Sequence, residues 1–418
     1  MSKLVIQGGN PLLGEIAVQG AKNSVLPILA ATILADSECV IHNCPRLRDV
    51  DKTDLVLKRL GCRVNREGNT VTINPSNFCA CQIQEDLMRE MRSSIIFLGA
   101  IISRCSHAIV SMPGGCPIGL RPIDLHLKGL KELGVEITEE HGYIHCKAEK
   151  LKGADIHLSF PSVGATENIM LAAVYAEGET VISNAALEPE IVDLADFLNK
   201  MGAKVSGAGT GCITIKGVKA PLHGAEHSVI PDRIAAATYL TAAAATDGEV
   251  FLTKVQPKHM GAMLNTLSEM GCNIKCDNNT IHLKSRGRPK AIHHIRTMPY
   301  PGFPTDIQSP FMALATIARG SSVFTETIFE NRFRHVDELV RMGADIKVEG
   351  RSAVIRGVPS LSAANVVAQE LRGGAALVIA ALCAEGKSEI QGVEYIDRGY
   401  EAIEKYLYNC NADIVRIN

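Results

Sequence analysis

The residues best suited to chemistry lie in one stretch, Pro113-Gly114-Gly115-Cys116-Pro117-Ile118-Gly119-Leu120-Arg121-Pro122-Ile123-Asp124-Leu125-His126. Glycine, with no Cβ, lets the backbone turn sharply and lets a ligand approach closely. A thiol held on such a loop, here Cys116, is reachable. A guanidinium beside it, here Arg121, binds phosphate or carboxylate in a fork geometry. The same pattern also fits a strand-to-helix turn around a buried small residue, because free cysteine is often core filler. Either way the loop needs a strand before it and a helix after it. Ala108-Ile109-Val110 supplies an apolar strand pattern, and Leu127 to Leu133 supplies an amphipathic helix.

A chain of 418 residues is too long for one ordinary core, so two domains are expected. Hydrophobic residues make up 46% of it, enough for a well-packed interior, and the net charge of -2 offers no field for nucleic acid or anionic lipid. With no Trp and 4% aromatics, base-stacking platforms are not expected either. The opening Met1-Ser2-Lys3-Leu4-Val5-Ile6 lacks the apolar core of a signal peptide, and no run reaches membrane-span length. The expectation is a cytoplasmic protein that does not insert into membranes. The 13 cysteines include Cys79-x-Cys81 and the pair Cys272 and Cys276, but no second ligand pair stands at zinc-site spacing. No metal is expected, and the thiols read as reduced.

One phrase recurs: Leu-x-x-(Leu/Met)-Gly-x-x-(Val/Ile). It occurs at Leu57-Leu60-Gly61-Val64, Leu130-Leu133-Gly134-Ile137, Leu198-Met201-Gly202-Val205, Leu267-Met270-Gly271-Ile274 and Leu339-Met342-Gly343-Ile346. A sixth copy, Leu407-Cys410-Asn411-Ile414, has Asn for Gly. The period of roughly seventy residues is too long for a solenoid. Two apolar residues three apart close the buried face of a helix, and Gly or Asn takes the left-handed position that ends it. A strand and hairpin follow, with turns at Arg66 to Asn69, Glu140 to Gly142, Gly207 to Gly209, Asp277 to Asn279 and Glu349-Gly350.

Upstream of each phrase lies a helix pattern apolar nearly all round, the mark of a buried helix. These cover Val25 to Leu34, Ser94 to Ile102, Asn168 to Tyr175, Ile234 to Ala245, Phe311 to Ile317 and Ala375 to Ala384. A short strand follows each. The fold class read from this is α/β: six repeats of a βαβαββ-type unit, forming two inverse, barrel-like domains of pseudo-threefold symmetry with helices inside and sheets outside. The opening strands, Leu4 to Ile6 and Glu15 to Val18, fall outside the six and are assigned to the second half. The domains are therefore expected at 22–229 and at 1–21 with 230–418. Ligand sites favour clefts between domains.

The Gly-Gly-Cys loop, the Arg121-Pro122-Ile123-Asp124-Leu125-His126 run after it and the six repeats together resemble the enolpyruvyl transferases. The resemblance extends from Gln19-Gly20-Ala21-Lys22-Asn23-Ser24 to Ile396-Asp397-Arg398-Gly399. It is closest to the branch that acts on UDP-N-acetylglucosamine, since the sister 5-enolpyruvylshikimate-3-phosphate synthases lack the cysteine loop. It implies two domains closing over two small-molecule substrates, phosphoenolpyruvate and UDP-N-acetylglucosamine, with no cofactor. The implied reaction joins the enolpyruvyl group to the sugar 3-hydroxyl and releases phosphate, opening peptidoglycan synthesis.

The resemblance also implies roles. Cys116 would give a proton to C3 of phosphoenolpyruvate and can bond to it covalently. Asp306 would take the sugar hydroxyl proton; its position also suits a helix N-cap, as does that of Thr305. Lys22, Asn23, Arg92, Arg121 and Arg398 would hold phosphoenolpyruvate, with Lys22, Arg121 and Arg398 as an anion clamp. On the residues alone, Lys22-Asn23 reads as a solvated helix start, Arg92 as a helix-end ion pair and Arg398 as a surface partner of Asp397. Arg121, Pro122, Ile123, Asp124, Leu125, Ser162, Val163, Gly164, Asp306 and Ile328 match the UDP-sugar site. Ser162 to Gly164 precede a helix start, a natural seat for phosphate.

Glu370 and Arg372 match a catalytic carboxylate and a substrate-binding arginine, but the family usually has Asp where Glu370 stands. The extra methylene displaces the carboxylate by about 1.5 Å. Ala235 replaces a usual Glu, and Pro117 and Leu120 fill usually smaller positions. A silent sugar-nucleotide binding role is the alternative that leans on Glu370 and Ala235; another acceptor hydroxyl is a second alternative, against which Arg121 to His126 argue.

Overall fold

The computed structural model describes residues 2–83, 85–90, 92–112, 119 and 123–417, with backbone alone at 87, 89, 90, 92 and 93. By internal contacts the described chain divides into two compact units, one made of 20–112 with 123–230 and the other of 2–19 with 119 and 231–417. No described helix is long and apolar enough to cross a membrane.

Each unit is an α/β domain built around three buried helices. In residues 20–230 these are Lys22–Ala31, Phe97–Cys105 and Val163–Ala173; in residues 231–417 they are Arg233–Ala245, Thr305–Thr316 and Leu371–Cys383. Every residue of Arg233–Ala245 is buried. Its alanines combine high helix propensity with a thin profile, so neighbouring helices come close. Helices this short are marginal alone in water, so burial holds them.

Around each trio stand three sheets of three or four strands, and the second unit adds a two-stranded pair, Leu361–Ser362 with Ala384–Glu385. The four-stranded ones share one order: an edge strand parallel to the central strand, then two antiparallel strands, joined as a hairpin in all but the sheet that holds Lys3–Gln7. Thus Asp155–His157 pairs with Glu179–Ser183 in parallel, and Cys212–Lys216 and Lys204–Ser206 follow. The sheet of His107–Ser111, Tyr143–Lys147 and Glu136–Glu140 has three strands, and a parallel bridge from Gln82 to Ile109 stands where the edge strand would be. Burial alternates along the strands, as in Tyr143–Lys147, so one face covers the helices.

Two edge strands are exchanged between repeats. Leu13–Ala17 precedes the first buried helix yet pairs with Glu249–Thr253. Glu226–Ser228 precedes the fourth yet pairs with Cys39–His42. In the sixth sheet the strand that a hairpin supplies elsewhere is Lys3–Gln7, lying between Lys387–Gln391 and Asp413–Ile417.

The recurring phrase behaves as its chemistry requires. Gly61, Gly134, Gly202, Gly271 and Gly343 have φ between 89° and 106°, and Asn411, in the sixth copy, has φ 72°. Helix starts differ from expectation. The third, fifth and sixth buried helices begin at Val163, Thr305 and Leu371, well before Asn168, Phe311 and Ala375, and the helix after the cysteine loop is Asp124–Glu132. The reason is chemical: first turns carry polar side chains such as Thr166, Asp306 and Arg372, and these interrupt the apolar pattern. Asp124, Leu125, Val163, Gly164, Asp306 and Arg372 ride on those hidden turns.

Candidate active site

Cys116, Arg121 and Pro122, together with Pro117 and Leu120, lie outside the described residues, and the same holds for the side chain of Arg92. The remaining candidates divide between the two units.

In residues 20–230, Lys22 and Asn23 open the first buried helix behind Ala21, which makes no side-chain cap. Lys22 is not a solvated helix start. Its Nζ lies 2.8 Å from Oδ2 of Asp49, with both side chains buried. The turn is also held from outside: the Ser24 hydroxyl donates to Asp193. Asp193 further accepts from His227 Nε2 at 2.9 Å and from the Ile230 amide at 3.2 Å. A carboxylate beside a helix N-terminus is favourable, and here it comes from another helix.

Ser162 caps the third buried helix, its Oγ accepting from Ala165 N at 3.3 Å. Val163 and Gly164 form the first turn. Gly164 faces His126: a Cβ there would stand 3.0 Å from His126 Cε1. Asn168 Nδ2 reaches Ile95 O and His126 Nδ1, both at 3.0 Å. As Nδ2 is a donor, His126 Nδ1 accepts, which assigns the ring proton to Nε2. Ile123 stands at the cap of Asp124–Glu132, Asp124 is exposed and Leu125 is half-buried.

In residues 231–417 the centre is Asp306. It is not the N-cap; Pro304 is, so Asp306 lies inside the first turn of Thr305–Thr316. Arg332 Nη2 donates to its Oδ1 at 3.1 Å and Arg372 Nη2 to its Oδ2 at 3.2 Å. Both guanidinium side chains are 2% exposed, while Asp306 keeps 24% of its surface. Arg332 also donates to Thr305 O at 3.2 Å. Burial works against the charge of Arg372; Tyr400 and Asp306 more than offset it and hold it a cation. Arg332 Nε and Arg372 Nε make no hydrogen bond among the described residues. Ile328 donates its amide to Glu326 Oε1 at 2.7 Å.

Glu370 caps the sixth buried helix, accepting from Arg372 N at 2.8 Å and from Gly373 N. Its extra methylene thus folds the carboxylate back onto the helix's own amides. Asp is also a favoured N-cap, so Glu370→Asp is expected to keep the melting temperature and to turn over at least as fast as the parent. Glu370→Ala is expected to lose about 1 kcal/mol of stability and, by loosening Arg372, most of kcat. Thermal melts and kcat at saturating substrates check both.

Beside Glu370 sits His335, 4% exposed. Burial pushes its imidazole down to about 4, Glu370 pulls the other way, and Arg332 adds to the push. Above pH ~6.5 neither the folded nor the unfolded chain holds that proton. Between ~6.5 and about 4 the unfolded chain takes it up and the native site does not, so stability falls as pH falls, by up to about 3 kcal/mol. Melting temperatures are expected to fall with acid across this window in the parent and to fall less in His335→Phe.

Arg398 lies half-buried after the short helix Val393–Ile396, and Asp397 gives both carboxylate oxygens to Arg416 at 2.7 and 2.8 Å. The following residues are held by Gln19, which donates to Gly399 O at 3.1 Å and accepts from Glu401 N at 2.8 Å. Arg332, Glu326, His335, Asp49 and Asp193 are the residues that sequence reasoning missed. For Arg332 a signal existed: a carboxylate at the head of an apolar helix requires a cation.

A family model described as EPSP synthase (3-phosphoshikimate 1-carboxyvinyltransferase) matches residues 6–407. The chain therefore belongs to this family of enolpyruvyl transferases. It is 56% identical over 417 residues to UDP-N-acetylglucosamine 1-carboxyvinyltransferase 2 of Caldanaerobacter subterraneus subsp. tengcongensis, with 100% of both chains covered. It is 50% identical to UDP-N-acetylglucosamine 1-carboxyvinyltransferase of Clostridium botulinum, again over 100% of both. In fold it resembles the enolpyruvyl transferase NikO from Streptomyces tendae, with TM-score 0.89 at 23% identity over 99% of this chain and 98% of that one.

Proposed function

We propose that this protein transfers the enolpyruvyl group of phosphoenolpyruvate to the 3-hydroxyl of UDP-N-acetylglucosamine and releases phosphate. On this reading it works in the cytoplasm at the first committed step of peptidoglycan synthesis and uses neither metal nor organic cofactor. Residues 22–229 act as one domain and 1–21 with 230–418 as the other. The full-length likeness to carboxyvinyltransferases supports the reading. The observation that carries it is Asp306, a partly exposed carboxylate fixed by two buried arginines at a helix start.

In the scheme, the sugar oxygen bonds to C2 of phosphoenolpyruvate as Asp306 accepts its proton, and Cys116 gives a proton to C3. An ordinary carboxylate is a weak base, so Asp306 acts late, as the oxygen bonds to carbon. Loss of a proton from C3 then expels phosphate from C2 and leaves the enol ether. Lys22, Arg92, Arg121 and Arg398 offset the substrate's negative charge. Arg332 and Arg372 hold the Asp306 carboxylate in place. Ser162 to Gly164, with the helix start behind them, suit the diphosphate, and Ile123 to Leu125 with Ile328 suit the rest of the nucleotide. Phosphate release from phosphoenolpyruvate, measured with and without UDP-N-acetylglucosamine, tests the activity. Release that ignores the sugar nucleotide, or none at all, would overturn it.

A further inference from the structure

We propose that Glu326 is a positioning residue for the sugar-nucleotide half of the reaction, acting through Thr305 and Ile328. This rests on the transferase reading and deepens it. Glu326 follows the strand Ser321–Thr325 and is 1% exposed. Its Oε1 accepts from Thr297 Oγ1 at 3.0 Å, Ile328 N at 2.7 Å and Phe329 N at 3.1 Å. Its Oε2 accepts from Thr305 Oγ1 at 2.9 Å. Four donors satisfy a carboxylate that burial would otherwise penalise heavily.

These bonds join two stretches that the proposed site needs together. Thr305 is the first residue of the fifth buried helix and adjoins Asp306, whereas Ile328 opens the turn after the strand. Pro304 gives that helix no side-chain cap, so its first turn depends on external partners. Glu326 takes hold at the Thr305 hydroxyl, and Arg332 takes hold at Thr305 O and the Asp306 carboxylate. The Glu326 end is itself locked, since Thr327 donates its amide to Thr297 Oγ1 at 2.9 Å and its hydroxyl to Thr297 O at 2.6 Å. One short stretch, 326–332, thereby sets where the Asp306 carboxylate points relative to Ile328.

The test removes one bond and leaves the turn intact. Thr305→Val keeps the branched shape and loses the hydroxyl, whereas Thr305→Ser restores it. Replacing Glu326 itself would strand four buried donors and risk the fold. Binding of UDP-N-acetylglucosamine by titration calorimetry, kcat, KM for phosphoenolpyruvate and melting temperature are measured on the full chain. Thr305→Val is expected to bind the sugar nucleotide about ten-fold more weakly and to lose about ten-fold in kcat. Its KM for phosphoenolpyruvate stays near the parent value, and Thr305→Ser behaves as the parent. Parent-like binding and kcat in Thr305→Val would overturn the positioning role and leave the transferase reading standing. So would an equal weakening of both substrates with a lowered melting temperature, which is a loss of structure. A parent protein that neither binds UDP-N-acetylglucosamine nor releases phosphate would overturn both.

Discussion

Asp306→Asn is expected to lower kcat by about 10³-fold, within the range a positioned general base contributes. The substitution keeps the size of the side chain and removes its charge. Asn offers one acceptor oxygen, so one of the two guanidinium groups now faces an amide N–H. Arg332 and Arg372 are each 2% exposed and cannot turn to water instead. A stability loss of about 3 kcal/mol is therefore expected beside the loss of rate. The two effects separate in the double variant Asp306→Asn with Arg332→Met, which removes one stranded cation: stability should recover in part and kcat should not. A kcat within ten-fold of the parent in Asp306→Asn would remove the residue from the chemistry.

Cys116→Ser is expected to abolish turnover, whereas Cys116→Asp keeps a measurable fraction. The residue reads as the proton donor to C3. A thiol titrates near ~8.5 in isolation and is lowered by cationic neighbours, which also favours attack by the thiolate. A serine hydroxyl is far too weak an acid for the same step, while a carboxylic acid raised by burial can donate. The Asp variant should also resist fosfomycin, an epoxide that alkylates the thiol at this position in the family. Single-turnover measurements with phosphoenolpyruvate, read with and without the epoxide, check the three proteins. Full activity in Cys116→Ser would sink the assignment.

The repeat architecture was legible because its signals are local. A helix closing on two apolar residues and a left-handed Gly needs no distant partner, and Asn411 could be read as the sixth copy for that reason. The helix starts were not legible, because the polar residues that make Val163, Thr305 and Leu371 useful beginnings also break the apolar period. Lys22, Asp306 and Arg372 could be named from their motifs, but their partners could not. Asp49 reaches Lys22, and Arg332 reaches Asp306, only through packing. The neighbour in sequence was a poor guide: Asp397 stands next to Arg398 and gives both oxygens to Arg416. Glu370 shows the converse, a residue named for catalysis whose carboxylate lies on its own helix's amides.

The strand Lys3–Gln7 carries a consequence for how the molecule is made. Lys3 meets Glu389, 386 positions away, and Val5 pairs with Val415. During synthesis this strand emerges long before the partners it pairs with, with its apolar Leu4 and Ile6 meanwhile uncovered. The three sheets of residues 20–230 draw their named strands from within that stretch, so they can form during synthesis while the sixth sheet is still incomplete. Closing so long a loop is slow compared with pairing neighbours, which makes the sixth sheet the late step of folding. In that interval the exposed strand is the segment a chaperone would have to shield from pairing with another chain.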